Sequence, residues 1–276
     1  MTLLLMFPQG SAEAARQAMR LWAIDVVPFL FPYMVICRAL SAQFRKNRLP
    51  SAAVVLPLAL LGGSPSGAAI LSEYAKDYSA HRLRSFCALT GTMSPMFLLN
   101  TAGGWLEAHT PITGGMLLTA HWGGSVLSFL LITFSQQGGS PYLSTPENAR
   151  IAGHDDSVSQ SVSAILQVGG CMVFYSVISS LCAHLPGISR TTLAVIHAFL
   201  EAGGGLHALS ALDIPPITCA ALFAAASSFS GFSVLSQNYV FLKPAGVQFH
   251  SLLLLGLLRA VCSAAIMLIM YVCFIS

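Results

Sequence analysis

Long uncharged apolar runs recur along nearly the whole chain, and they restrict its possible folds more than any other feature. These runs cover residues 21–37, 86–105, 112–134, 165–183, 217–240 and 252–275. Each approaches the roughly 20 residues that a helix needs to cross about 30 Å of hydrocarbon. Only 8% of the residues are charged, as is typical of polytopic membrane proteins. The sequence therefore predicts an all-α polytopic membrane protein with about six transmembrane helices.

Two further apolar stretches, residues 49–61 and 192–200, are too short to cross a bilayer. Each runs into a cluster of glycines. We call residues 62–67 the first glycine tip and residues 203–205 the second glycine tip. A short arm that enters the membrane, turns at a glycine tip and returns to the same side forms a re-entrant helical hairpin. The sequence predicts two such hairpins.

The same order of parts occurs twice along the chain, which indicates an internal repeat. Each half has a crossing, a hairpin and two further crossings. Three net crossings place the second half upside down relative to the first, as in the inverted repeats of secondary transporters. The predicted organisation is an interfacial N-terminal helix (1–20), a first repeat (21–135), a polar linker (136–160) and a second, inverted repeat (161–276).

The positions of the basic residues predict the orientation of the two hairpins. Basic side chains flank the first hairpin on both sides, and they are Arg38, Arg45, Lys46, Arg48, Lys76, Arg82 and Arg84. Cytoplasmic loops carry an excess of Lys and Arg, so the first hairpin is predicted to open to the cytoplasm. The second hairpin, flanked by Arg190 and Asp213, is then predicted to open to the opposite side.

The two glycine tips are predicted to face a cavity, because irregular backbone at membrane depth is tolerated only where protein buries it or water lines it. A helix that starts at such a tip presents free N–H groups to a ligand. The candidate substrate-binding residues at the tips are Gly63, Ser64, Ser66, Gly67, Gly203 and Gly204. Small residues also permit close helix packing, and this alternative remains open.

The crossing after each hairpin contains a predicted break. In the first repeat, Pro95 lacks an amide donor and disfavours helix at Ser94. The second repeat has a serine-rich segment at the corresponding place. The candidate substrate-binding residues at the two breaks are Thr92, Ser94, Asn100, Ser228 and Ser230. Interhelical hydrogen bonding by these polar side chains is the alternative interpretation.

Ionisable residues inside apolar segments are candidates for function, because burying them in a membrane is costly. Glu201 precedes the second glycine tip and His207 follows it. Both are candidates for coupling to a cation, and Glu201 is also a candidate substrate-binding residue. The alternatives are a structural cap for Glu201 and a hydrogen-bonded packing role for His207 and for His121. Asp25 and Arg259 lie near the ends of predicted crossings, from where their side chains can reach the membrane surface.

The sequence predicts no enzyme, metal site, cofactor or nucleic-acid partner. It contains no nucleophile elbow, no H-E-x-x-H motif and no paired intramembrane aspartates. Its seven cysteines lie in apolar segments, never at C-x-x-C spacing, and its net charge of +3 forms no basic patch for a nucleic acid. Buried cysteines of this kind act as small hydrophobic residues.

Four segments of the chain together resemble the sporulation integral membrane protein YlbJ family, within the wider group that carries the nucleoside recognition or gate domain. They are AARQAMRLWAIDVVPFLFPYMV, GGSPSGAAILSEY, LTGTMSPMFLLNTAGG and FLEAGGG. The opening MTLLLMF resembles the end of an additional N-terminal helix in longer YlbJ-like proteins. The resemblance implies a core like that of concentrative nucleoside transporters, with Gly63 to Gly67, Ser94 with Pro95, and Glu201 as site positions. The chain lacks the polar Gln-Thr-Glu type of tip, which disfavours a nucleoside as substrate.

These observations predict a transporter in the bacterial cytoplasmic membrane that moves a small polar or anionic solute by alternating access. Membrane lipid, the solute, a coupling cation (Na⁺ or H⁺) and a second copy of the chain are the expected partners. Two alternatives remain open at this point. One is a non-transporting membrane factor in sporulation or envelope assembly that keeps the gate fold, and the other is a passive channel.

Overall fold

The computed structural model describes residues 5–46, 51–135 and 157–275, which form helices joined by short turns. The helices are α1 (Pro8–Leu21), α2 (Val27–Lys46), α3 (Ser51–Gly62), α4 (Ser66–Glu73), α5 (Ala80–Thr90), α6 (Gly103–Glu107), α7 (Gly114–Ser135), α8 (Ser157–Cys182), α9 (Arg190–Leu200), α10 (Ala202–Ser210), α11 (Pro216–Phe229), α12 (Gly231–Leu242) and α13 (Phe249–Phe274). Short π-helical segments, Trp22–Val26 and Phe97–Ala102, lead into α2 and α6. The predicted all-α class is confirmed.

Four helical segments in the described ranges are long and apolar enough to cross a membrane: Gly114–Ser135, Val158–Cys182, Pro216–Ala245 and Phe249–Phe274. They correspond to four of the six predicted crossings. Pro8–Val26 and Leu30–Phe44 make a fifth span if they are taken together, although they meet at an angle of 55°. The chain is thus a multi-pass helical protein with the composition of a membrane protein.

The predicted crossing at residues 86–105 is not one continuous helix. Helix α5 ends at Thr90, an irregular segment follows, and the chain continues through the π-helical segment into α6. Proline at position 95 has no amide to donate, so it begins the second helical piece instead of continuing the first. The count of six crossings is therefore not confirmed, and re-entry of the two hairpins stays a prediction.

The N-terminal helix α1 exposes its charged side chains and packs against α8. Trp22, just after α1, donates its indole N–H to the carbonyl of Ile165 at 3.0 Å, and the exposed face carries Glu13 paired with Arg16 at 2.8 Å. An exposed polar face is compatible with the predicted interfacial position. The predicted linker at 136–160 lies outside the described residues except for its last four, which start α8.

The two halves of the chain share their hydrophobic cores. One core combines α4 and α5 with α12 and the first half of α13. A second combines α6 and α7 with α10, α11 and the second half of α13. Helix α13 packs closely against α7 and α11 and so lies between the two halves. This arrangement brings both glycine tips and both helix breaks to the middle of the molecule.

Candidate functional site

The first glycine tip is the turn between α3 and α4, and it packs against the irregular segment after α5. Gly63 has φ = +59°, a conformation that glycine adopts at no steric cost. A side chain there would also bring its Cβ to 2.7 Å from the Cα of Ser94. Ser64 donates its backbone N–H to the carbonyl of Thr92 at 2.6 Å. The first tip and the first break thus meet backbone to backbone, with no room for a side chain between them.

The second glycine tip begins α10, and its N-terminus is capped by Glu201. The two carboxylate oxygens accept the N–H groups of Gly203 and Gly204 at 2.8 and 2.7 Å. Only 3% of Glu201 is exposed. A carboxylate at a helix N-terminus satisfies unpaired donors and opposes the positive end of the helix dipole. The observed contacts of Glu201 are therefore those of a structural helix cap, one of the interpretations left open for this residue.

The second break lies between α11 and α12 and packs against the second tip. Ser230 and Gly231 both have φ = +71°, so the helix ends in the left-handed conformation. A Cβ on Gly231 would lie 3.1 Å from the backbone nitrogen of Ala202, the first residue of α10. Ser230 donates its hydroxyl to the carbonyl of Gly91 in the first break at 3.3 Å. The two breaks are therefore in direct contact.

Arg259 joins the ends of the two broken helices from its position on α13. Its Nη1 donates to the carbonyls of Cys87 and Ala88 at 3.3 Å each, and its Nε donates to the carbonyl of Ser228 at 3.2 Å. The last carbonyls of a helix have no partner within it, so the guanidinium supplies donors to α5 and α11 at once. Arg259 is only 1% exposed. The expectation that it reaches to the membrane surface is wrong.

His121, on α7, forms a second link between the two breaks. Its Nε2 accepts the backbone N–H of Met93 at 3.0 Å, and its Nδ1 lies 2.9 Å from the hydroxyl of Ser228. Because Nε2 accepts, the neutral ring carries its proton on Nδ1 and donates it to the serine. This is the packing role that was left open for His121. It also gives Ser228 an interhelical hydrogen bond, the alternative to a substrate contact.

A cavity of about 130 Å³, which we call the main cavity, opens where both tips approach the π-helical segments. Its lining includes some of the predicted site residues, namely Ser64, Ser94, Asn100, Glu201 and Gly203. The other polar lining residues are Asp25, Tyr33, Thr101, Ser233 and Gln237. Asp25 lies in the Trp22–Val26 π-helical segment. The sequence indicated Asp25 as a candidate, because it is an acidic residue inside an apolar run. Its position near the end of a predicted crossing indicated instead that its side chain reaches the membrane surface.

The remaining predicted site residues do not line the main cavity. They are Gly63, Ser66, Gly67, Thr92, Gly204, Ser228, Ser230 and His207. Gly67 has a packing role, since a Cβ there would lie 2.7 Å from the carbonyl oxygen of Thr90. His207 is exposed, and its ring contacts Trp105 edge to face with centroids 5.2 Å apart. Their roles as substrate or ion sites stay predictions.

The charge of the main cavity comes from two carboxylates. Asp25 and Glu201 are in its lining, which contains no Lys, Arg or His. The Glu201 oxygens each accept one N–H, and a carboxylate has further acceptor positions. Within the part of the chain that the structure describes, no group of three or more His, Cys, Asp or Glu side chains is placed to hold a metal ion. The lining thus combines a largely apolar surface with several polar side chains and lacks basic groups.

Comparison with known proteins supports the resemblance found in the sequence. The chain is similar to the sporulation integral membrane protein YlbJ of Bacillus subtilis (strain 168), with 22% identity over 325 aligned residues that cover 96% of this chain and 78% of that protein. The similarity to the YlbJ family is therefore confirmed. No family model matches the chain, and no solved structure matches it.

Proposed function

We propose that the chain is a transporter of the bacterial cytoplasmic membrane that carries a small polar solute through the main cavity by alternating access. The observation that supports this function is the position of the cavity. It is lined by residues of both glycine tips, of the first break and of α12, in a chain with four apolar helices of membrane-spanning length. Transporters commonly bind their substrate at interrupted helices near the midplane of the bilayer.

The size of the main cavity favours a solute smaller than a nucleoside. A cavity of about 150 Å³ in another protein holds one benzene molecule, and the main cavity has about 130 Å³. A nucleoside joins a base to a sugar ring and is larger than benzene. In the conformation described, the cavity matches a solute with a single small ring or a short chain.

The lining of the main cavity favours a neutral or positively charged solute over an anionic one. Asp25 and Glu201 would repel an anion, and no basic side chain in the lining offsets them. At the second tip, moreover, the N–H groups of Gly203 and Gly204 already donate to Glu201. A proton or Na⁺ held near the two carboxylates would suit the proposed cation coupling.

The proposed movement involves the hairpins more than whole halves of the molecule. Each hydrophobic core contains helices from both halves. Separating the halves would therefore disrupt the packing of both cores. Buried apolar residues of the first hairpin belong to one core and those of the second hairpin to the other, so movement of one hairpin would disturb one core. In this proposal, α3 with α4 and α9 with α10 are the re-entrant elements that alternately cover the main cavity.

Transport can be tested with the purified full-length protein in liposomes. The probes are ethanolamine, glycerol and acetate, which are similar in size and differ in charge. We expect flux of ethanolamine or glycerol but not of acetate, and a loss of at least tenfold for Asp25→Asn and for Gln237→Leu. Asp213→Asn, an exposed acidic residue outside the cavity, is the matched control. If no probe moves, or if all three variants behave alike, the transport proposal fails.

A second candidate function follows from the name of the similar protein. The name of that protein is sporulation integral membrane protein YlbJ, and it is compatible with a membrane factor in sporulation that does not transport. The test is to express this chain in a Bacillus subtilis strain that lacks YlbJ. Restored sporulation by the wild type, Asp25→Asn and Gln237→Leu alike would favour this second function. Restoration by the wild type alone would favour transport.

A further inference from the structure

Three buried side chains on three different helices each have one polar atom without a hydrogen-bond partner among the described residues. These atoms are Oγ1 of Thr90, Oδ1 of Asn238 and Nη2 of Arg259. The three residues are 1%, 2% and 1% exposed. A buried polar atom without a partner destabilises the folded state, so three such atoms around one cavity require an explanation.

All three residues line one small cavity, which we call the inner cavity. It has a volume of about 10 Å³. None of its lining residues belongs to the lining of the main cavity. Apart from Thr90, Asn238 and Arg259 the lining is apolar or small, and includes Ala68 and Leu235. The inner cavity is thus a separate polar site in an apolar surrounding.

We propose that Thr90, Asn238 and Arg259 bind one internal water molecule. A water needs about 10–15 Å³ and two to four polar partners, and the inner cavity provides that volume and three partners. The Arg259 Nη2 group donates to the water oxygen, and the water donates to Oδ1 of Asn238. The Thr90 hydroxyl can donate or accept. Every hydrogen bond of the set therefore has a donor and an acceptor.

The charges around the inner cavity favour water over an anion. The guanidinium already lies at the C-terminal carbonyls of α5 and α11, and each helix C-terminus carries about half a negative charge. Two such ends together offset the single positive charge. Asn238 donates its Nδ2 to the Ser64 hydroxyl at 3.0 Å, so its Oδ1 points toward the site. That oxygen would repel an anion.

The bound water links Arg259 to the first glycine tip. The path runs from the guanidinium through the water to Asn238, and from Asn238 to the hydroxyl of Ser64. Ser64 also lines the main cavity. The position of the first tip therefore depends on the two breaks that Arg259 joins. This inference does not require that the protein transports a solute.

The direct test is a crystal structure of the full-length protein in a lipidic phase, with and without a bromide soak. We expect one density peak within hydrogen-bond distance of the three unpartnered atoms and no anomalous bromide signal there. An anomalous peak at the site would show that it binds anions and would overturn the proposal. So would the absence of density when other internal waters are resolved.

A matched pair of variants tests the same site in solution. Thr90→Val replaces the hydroxyl by a methyl group at the inner cavity. Thr92→Val makes the same change at a threonine that is also buried, also lacks a partner among the described residues and does not line the inner cavity. We expect Thr90→Val to lower the Tm by about 2–4 °C and Thr92→Val to leave it unchanged or raise it.

Amide exchange at residues 63–67 adds a second measurement on these variants. Thr90→Val should raise exchange at the first tip, since the link through Asn238 is weakened, and Thr90→Ser should restore it. Equal effects of Thr90→Val and Thr92→Val on both Tm and exchange would contradict the proposal.

Discussion

The two tip-and-break pairs reach the same close packing with opposite backbone arrangements. In the first pair the left-handed residue is Gly63, in the tip, and the break fits against it. In the second pair the left-handed residues are Ser230 and Gly231, in the break, and the tip starts with ordinary helix. Either partner can therefore supply the conformation that lets two backbones approach.

The two tips also differ in how their helix N-termini are satisfied. Glu201 caps α10 with both carboxylate oxygens. Helix α4 starts after Pro65, which makes no side-chain cap, and the first tip instead donates the Ser64 N–H to Thr92. The second tip is thus stabilised within its own hairpin, and the first depends on the neighbouring break. Changes at the break should consequently disturb the first tip more than the second.

Replacement of Arg259 is the change with the largest expected effect, because it acts on both pairs. Arg259→Leu removes the donors of three helix-end carbonyls and leaves unfilled space, which should lower the free energy of unfolding by about 3–5 kcal/mol. Thermal unfolding in detergent measures the loss. Arg259→Lys keeps the charge with fewer donors in a different geometry, so an intermediate loss is expected. Exchange protection should fall at residues 87–94 and 226–231 together. Loss at only one break would contradict a shared role for Arg259.

Gly63→Ala should break the first pair and leave the second intact. The left-handed backbone costs a non-glycine residue about 1–2 kcal/mol, and overpacking typically adds about 1–3 kcal/mol. The new Cβ would lie 2.7 Å from the Cα of Ser94. Because both segments meet through their backbones, neither can move a flexible side chain away to remove the clash. Gly104→Ala is the control, since a Cβ there has no neighbour within 4 Å and alanine favours the helix. A similar loss of Tm in both variants would argue against close approach as the cause.

Glu201→Gln should affect the second pair alone and should lower the free energy of unfolding moderately. The amide oxygen can accept one N–H, so one of the two capping bonds is lost, and loss of a cap costs about 0.5–2 kcal/mol. Amide exchange should rise at Gly203 and Gly204 and stay constant at the first tip. Asp213→Asn serves as the charge-matched control on the surface. If Glu201→Gln leaves exchange at the second tip unchanged, the carboxylate does not cap α10 in solution.

Much of this architecture could be predicted from the sequence because it depends on local composition. Apolar runs indicate membrane-length helices, Gly63 indicates a turn, and Pro95 starts a new helical piece. A break in the crossing at 86–105 was predicted from Pro95, but an apolar run does not show how far such an interruption extends. The structure shows that the break covers residues 91–94 and that it contacts the first tip.

The polar contacts at the centre were harder to predict, since they join residues far apart in the sequence. Arg259 and His121 each contact two breaks whose residues lie more than a hundred positions apart. Asp25 lies in the π-helical segment between α1 and α2 and lines the main cavity. Apolar periodicity carries no information on such pairs. The sequence indicated which side chains are costly to bury, but not where their partners lie.

Two neighbouring serines on α11 allow the smallest of these effects to be measured. Ser228 is 2.9 Å from Nδ1 of His121, whereas Ser227 donates only to Ala224 within its own helix. Both serines are fully buried, so their replacement by alanine removes similar surface. Ser228→Ala should cost about 1 kcal/mol, the usual net value of one hydrogen bond, because it also leaves the imidazole N–H unpaired. Ser227→Ala should cost less, since it frees a carbonyl that its own helix already satisfies. If thermal unfolding gives equal losses, the contact from α7 to the second break contributes nothing to stability, and Arg259 is left as the main link between the two breaks.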